Sequence, residues 1–168
     1  NNSLVWDCIK ESYRLLGHLK EQISTLSYYD YRNAAKRTYF KINVTKRDNA
    51  RKDLFAKQLV LFTKTINQVS NVVKKNASCD LGFEAGCILM ALESHLEVMR
   101  KVYDMAYRIE IKKEKLPASE KIFSIYEPHT DMIVKGSRET KFGHKVDLCS
   151  GKGNLILCFI HFAVIAYE

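Results

Sequence analysis

Apolar residues recur at helical spacing from the start of the chain to about residue 113. With a new apolar position every three or four residues, this pattern predicts four helices, over residues 3–26, 29–42, 48–76 and 83–113. Ser3 is the expected N-cap of the first helix, and Pro117 follows the end of the fourth. We therefore expect a helical region over residues 1–117.

The period of the pattern changes after Pro117. Ile122, Ser124 and Tyr126 alternate with other apolar residues, which predicts a strand. Further strands are predicted over 142–149 and from 155 onward, and a glycine-containing turn between them predicts antiparallel pairing. The predicted fold class is therefore α+β, with about four helices followed by a small antiparallel β-meander over residues 118–168.

The cysteines and the apolar C-terminal segment give information about the cellular compartment of the protein. The five cysteines are odd in number and lack C-x-x-C spacing, which argues against a disulfide framework or a zinc site. Residues 155–167 are mostly apolar, but a membrane-spanning helix needs about 20 such residues. No signal peptide is recognisable at the start. These features predict a cytoplasmic protein with buried thiols and no membrane partner.

Positive charge is concentrated in one part of the chain. The formal net charge is +8, and most of the excess lies between Arg32 and Lys57, where only Asp48 and Asp53 oppose it. Such a cluster is typical of a surface that neutralises phosphates. The predicted nucleic-acid-binding residues are Arg32, Lys36, Arg37, Lys41, Lys46, Arg47, Arg51 and Lys52.

Aromatic residues are interleaved with these cations. Tyr28, Tyr29, Tyr31, Tyr39 and Phe40 could stack on bases. The alternative is a solvated helix face with the tyrosines packed into the core, and the sequence leaves both interpretations open.

One short segment contains residue types that bind metals. Glu127, His129 and Asp131 would share a face of an extended strand. Pro128 is expected to bend that strand, so a turn whose polar groups bind backbone is the favoured interpretation. We predict no metal ligand, no catalytic residue and no small-molecule substrate in this chain.

The span 107–157 resembles the central block of DDE-type bacterial insertion-sequence transposases, which have an RNase H-like catalytic domain. The elements that carry the resemblance are Arg108, Pro117, 120–122, 124–130, Ile133, 135–136, 142–146 and 155–156. The resemblance implies an enzyme in which two aspartates and a glutamate hold two magnesium ions for DNA cleavage and strand transfer. It places those carboxylates before Asn1 and after Glu168, and Asp7 matches a helix residue rather than a catalytic one.

We therefore expect a central fragment of such a transposase that is inactive alone, needs no cofactor itself and binds DNA. Residues 118–168 would be part of the RNase H-like sheet. Residues 158–167 stay apolar where the family pattern turns polar, and this predicts self-association through a strand containing Phe159 and Phe162. The alternatives are a stand-alone helical nucleic-acid-binding module, or an interaction domain that uses exposed strand edges.

Overall fold

Four long helices dominate the computed structural model, which describes residues 1–77 and 81–127 together with the backbone of four short segments beyond residue 130. The helical elements are α1 (Asn2–Gln22), α2 (Arg32–Val44), α3 (Asp48–Asn76), α4 (Gly82–Ala106), a π-helical turn (Tyr107–Ile111) and a 3-10 turn (Ala118–Glu120). The prediction of four helices is confirmed, and the bounds predicted for α3 are those observed.

Local hydrogen bonding explains where the other bounds differ. α1 ends at Gln22, before the predicted limit of 26, because Ile23 adopts an extended conformation. α2 begins at Arg32 and not at Tyr29, since the Asp30 side chain accepts a hydrogen bond from the Arg32 backbone N–H at 2.8 Å. An acidic side chain in this position satisfies a donor that the first turn of a helix leaves free.

The helices alternate in direction, as in an up-down four-helix bundle. Asn2 of α1 donates through Nδ2 to the carbonyl of Tyr39 near the end of α2, at 3.1 Å. At the other end, the carbonyl of Tyr29 accepts from the Tyr13 hydroxyl of α1 and from Nε2 of Gln68 in α3, at 3.0 and 3.1 Å. The segment before α2 is therefore fixed by two helices at once.

α2 and α4 occupy diagonal positions and barely touch, whereas α3 contacts all three other helices and so does α1. The buried stripe of α1 recurs every three or four residues and faces aromatic and aliphatic side chains from α3 and α4. The core residues with no exposed surface include Val5, Ile9, Leu16, Leu19, Phe55, Phe62, Leu92 and Met99. Each such side chain stabilises the fold by about 1.5–3 kcal/mol through burial alone.

The predicted α+β class with a β-meander is wrong. Residues 1–77 and 81–127 contain helices and no strand, and the alternating segment at 122–126 crosses the bundle as irregular backbone. Ile125 enters the helical core, and the Ser124 hydroxyl accepts hydrogen bonds from the backbone N–H groups of Tyr126 and Glu127. These local bonds replace the ladder that a strand would need.

Beyond residue 130 the described backbone forms two separate antiparallel pairs, and they do not join into one sheet. The segments are β1 (Asp131–Ile133), β2 (Lys141–Gly143), β3 (Val146–Ser150) and β4 (Ile156–His161), paired as β1 with β2 and β3 with β4. The predicted β-meander that forms part of an RNase H-like sheet is therefore not found among the residues that the structure describes.

Two predictions about the C-terminal part stay predictions. The side chains of Phe159 and Phe162, on which self-association depends, lie outside the described residues, as do most of the predicted exposed strand edges. The division at residue 117 is also untested, although Ile125 packs against the helices that precede it. Among the helices that the structure describes, none has the length and apolar character needed to cross a membrane.

One buried polar side chain stands out in the core. Gln58 of α3 has no exposed surface and shares its helix face with Phe55 and Phe62. Within residues 1–77 and 81–127, neither its Nε2 nor its Oε1 has a hydrogen-bond partner. An amide buried in this way costs about 1–3 kcal/mol.

We predict that Gln58→Met stabilises the protein by about 1–3 kcal/mol, because methionine has a similar volume and carries no amide to desolvate. Urea unfolding at neutral pH measures the change. Gln68→Met is the matched control on the same helix. Since Gln68 donates to the Tyr29 carbonyl, its replacement should destabilise by about 0.5–1.5 kcal/mol. A decrease in stability in Gln58→Met would mean that the amide is satisfied in solution.

His95 joins α4 to α1 inside the bundle. Its Nε2 lies 3.1 Å from the backbone carbonyl of Cys8, and because a carbonyl only accepts, Nε2 carries the proton. Burial lowers the pKa of His95 below its ordinary value, although the bond to Cys8 and the nearby Glu11 act in the opposite direction and Arg14 adds to the lowering. The ring is therefore neutral in the folded protein at neutral pH.

We predict that stability falls as the pH drops from 7 to 5, and that His95 supplies part of this decrease. An imidazole whose folded pKa is lowered binds its proton more readily in the unfolded chain, whose pKa is about 6.5. His95→Gln, which can keep the donor to Cys8, should flatten the dependence of the melting temperature on pH in this window. His18→Gln at an exposed position is the control. Equal slopes in the wild type and His95→Gln would contradict the assignment.

Candidate nucleic-acid interface

The outer face of α2 presents three of the predicted cations to solvent. Ala35 and Ile42 are fully buried and point this helix towards the bundle. Lys36, Arg37 and Lys41 lie on the remaining surface and are exposed. Amphipathic spacing therefore positions these side chains, because the helix can bury only one stripe.

The turn from α2 to α3 carries the next group of cations. Thr45–Arg47 link the two helices, and the Arg47 carbonyl accepts the Arg51 backbone N–H at 2.9 Å as α3 begins. Lys46, Arg47, Arg51 and Lys52 are all exposed. The N-terminal end of a helix adds partial positive charge at this point, which Asp48 in the first turn offsets in part.

Arg32 is held differently from the others. Its guanidinium contacts the Asp30 carboxylate through Nε at 2.9 Å and Nη2 at 2.7 Å, and it lies over the ring of Tyr13. Burial alone would raise the pKa of Asp30, but the hydrogen bonds from Arg32 bring it below its ordinary value. The charge of Arg32 is therefore compensated locally, and we expect it to add little to an anion-binding surface.

The other seven predicted cations form one surface, which we call the basic face: Lys36, Arg37, Lys41, Lys46, Arg47, Arg51 and Lys52. In the part of the chain that the structure describes, none of the seven forms an ion pair with a carboxylate within 4.0 Å. Their charges are therefore available to a partner, at positions that run along α2 and around one end of the bundle.

Most of the aromatic residues in this region serve the fold. Tyr28 packs against Tyr13, and Tyr39 stacks on Trp6 with ring centroids 6.0 Å apart. For these residues the core-packing interpretation applies. Tyr29 differs, since 68% of its surface is exposed while its backbone carbonyl is bound by α1 and α3.

Phe40 is the aromatic residue best placed to contact a ligand. It is 55% exposed and lies one helical turn from Lys36 and Arg37 on one side and from Val44, which is 77% exposed, on the other. Sequence reasoning did not single out Val44. The signal was its spacing of four from Phe40 on the side of α2 opposite Ala35. A base or sugar could pack on Phe40 and Val44 while the cations contact phosphates.

Only part of the candidate metal-binding segment belongs to the described residues. His129 lies outside the described residues, and so do the side chains near Asp131. Among the residues that are described, no group of three or more His, Cys, Asp or Glu side chains is arranged to hold a metal ion. Of the cysteines that are described, Cys8 is buried and Cys87 is exposed, and both are free thiols.

Comparison with known proteins does not place this chain in a family. No family model, no curated protein and no solved structure matches it. The resemblance to transposases therefore stays a resemblance of sequence motifs, chiefly within residues 107–157.

Proposed function

We propose that this chain binds DNA through the basic face, by contacts to the phosphate backbone that do not depend on base sequence. The observation that carries the proposal is the set of seven exposed cations with no ion pair inside the described structure. Each cation that meets a phosphate releases a condensed counterion, so the affinity should be strongly salt-dependent. Phe40 and Val44 would add apolar contact at the centre of the α2 part of the face.

The resemblance to DDE transposases supports DNA as the polyanion, and within that proposal the biological process is DNA transposition. This chain would supply DNA contacts, and magnesium would belong to the complete enzyme. The compartment that we propose is the reducing cytosol, in keeping with the free thiol of exposed Cys87.

A stand-alone helical nucleic-acid-binding module is the second candidate. It is favoured by one observation, namely that the helices enclose a core of their own, to which Ile125 also contributes. The two candidates share the same DNA-binding surface. They differ in whether further protein is needed for the biological role, and the DNA sequence that flanks the reading frame would separate them.

The salt dependence of DNA binding tests the proposal. We predict that replacing Lys36, Arg37 and Lys41 together by Ala lowers the log–log slope of affinity against salt by roughly 0.9 for each phosphate that is no longer neutralised. Fluorescence anisotropy with a labelled duplex, at several potassium chloride concentrations, measures that slope. Two duplexes of unrelated sequence should give the same values.

Arg32→Ala is the matched control. It removes a positive charge from the same helix, but one that Asp30 already compensates. Its slope should stay close to that of the wild type. If the triple variant kept the wild-type slope, the basic face would not be the binding surface. If Arg32→Ala lowered the slope as much as each of the other cations, the Asp30 contact would not hold in the complex.

We also predict that the chain neither cleaves DNA nor transfers strands when magnesium or manganese is added. Two-metal phosphoryl transfer needs carboxylates that hold both ions, and the resemblance assigns none of them to residues 1–168. A supercoiled plasmid assay with labelled donor ends measures both reactions. Metal-dependent nicking that disappeared when a carboxylate of this chain was changed would overturn the prediction.

A further inference from the structure

A second candidate site lies beside α4. The C-terminal half of α4 and the segment that folds back after it enclose a groove of about 560 Å³. Because α2 and α4 are diagonal in the bundle, the groove and the outer face of α2 belong to different sides of the molecule. The residues that line the groove are Arg100, Lys101, Asp104, Met105, Arg108, Leu116, Ser119, Glu120, Lys121 and Ile122.

Arg108 holds the two walls of this groove together. Its Nε contacts Oε2 of Glu114 at 2.7 Å, and its Nη1 contacts Oε2 of Glu120 at 2.8 Å. These bonds fasten the returning segment to the end of α4. Lys113, in the connection, has a φ of 61°, which shows how sharply the backbone turns there.

Arg108 also determines the charge that the groove offers to a ligand. The two acidic residues on the walls are Glu120, in direct contact with Arg108, and Asp104, whose Oδ2 lies 3.7 Å from Nη1. One guanidinium balances these two carboxylates only in part, and Asp104 is the more distant of the two. Arg100, Lys101 and Lys121 make no ion pair within residues 1–77 and 81–127. The charge left for a ligand is positive.

The floor of the groove is apolar. Met105 and Leu116 are almost fully buried, and the half-buried Ile122 directs its backbone N–H to Sδ of Met105 at 3.3 Å. An apolar floor with cations at the rim suits a ligand that has a flat apolar body and a phosphate. Ser119 on the wall adds a hydroxyl donor.

We propose that this groove binds a nucleotide unit, with the base on the floor of Met105, Leu116 and Ile122 and the phosphate at Arg100, Lys101 and Lys121. The same chemistry is offered by a free mononucleotide and by the phosphorylated end of a single DNA strand. The assignment does not rest on the basic face, because no residue is shared between the two surfaces.

Equilibrium dialysis of the full chain against deoxyadenosine monophosphate tests the proposal. Arg100→Gln combined with Lys101→Gln should weaken binding by about tenfold or more, because the charge-assisted hydrogen bonds to the phosphate are removed. Lys20→Gln with Lys74→Gln removes the same charge elsewhere and should leave the affinity unchanged. Deoxyadenosine and inorganic phosphate should each bind more weakly than the nucleotide, since each lacks one half of the ligand.

A second variant tests the sign of the groove's charge and leaves every cation in place. Asp104 is an exposed acidic residue, so Asp104→Asn should fold normally and bind the nucleotide several-fold more tightly, roughly as expected when a like charge is removed beside the ligand. The basic-face variant of Lys36, Arg37 and Lys41 should keep wild-type nucleotide affinity.

Competition by a 5′-phosphorylated single strand identifies the source of the ligand. If the strand displaces the mononucleotide, the groove receives a DNA end, and if it does not, the groove takes a free nucleotide. The proposal is overturned if the Arg100 and Lys101 variant binds the nucleotide as the wild type does. It is also overturned if inorganic phosphate alone binds as tightly as the nucleotide, since the apolar floor would then have no role.

Discussion

The packing of α1 against the three other helices is the constraint on which the rest of the structure depends. A helix that buries a broad stripe must be enclosed on several sides, and Val5, Ile9 and Leu16 of α1 belong to a core shared with buried residues of α2, α3 and α4. This leaves α2 and α4 diagonal to one another. The diagonal arrangement places the outer face of α2 and the groove beside α4 on different sides of the bundle.

The same constraint explains which cations are free. α2 contributes only a narrow buried stripe, centred on Ala35 and Ile42, so that most of its surface remains outside. Lys36, Arg37 and Lys41 are therefore exposed as a consequence of how little α2 buries. Just before α2 the chain bends, and this bend brings the Asp30 carboxylate into contact with Arg32. The positive charge of Arg32 is compensated because of that bend.

The positions of the helices could be predicted from the sequence because apolar residues recur every three or four positions, and the bounds of α3 are the clearest example. The same spacing argument could not exclude the strand predicted at residues 122–126. Alternation of Ile122, Ser124 and Tyr126 indicates extended backbone, but it does not say whether the neighbour is a strand or a helix. In this chain Ile125 packs into the core of the helical bundle. The Ser124 hydroxyl accepts hydrogen bonds from the backbone N–H groups of Tyr126 and Glu127, which in a sheet would bind a neighbouring strand.

The candidate sites also divide into features that the local sequence predicts and features that depend on tertiary packing. Seven of the eight predicted cations are exposed and unpaired within the described residues, because a dense basic run on short amphipathic segments has few ways to be buried. The compensation of Arg32 and the exposure of Phe40 and Val44 depend on the bend before α2 and on the orientation of that helix. The groove beside Arg108 depends on a returning segment, which local patterns do not reveal.

We expect α2 and the turn after it to face the DNA, while the outer side of α4 faces away from it. Amide chemical-shift mapping of the full chain with a short duplex tests this expectation most directly. We expect the largest shifts in α2, in the Thr45–Arg47 turn and in the first turn of α3, with little change along the outer side of α4. Shifts concentrated on α4, or spread evenly over all four helices, would contradict this claim.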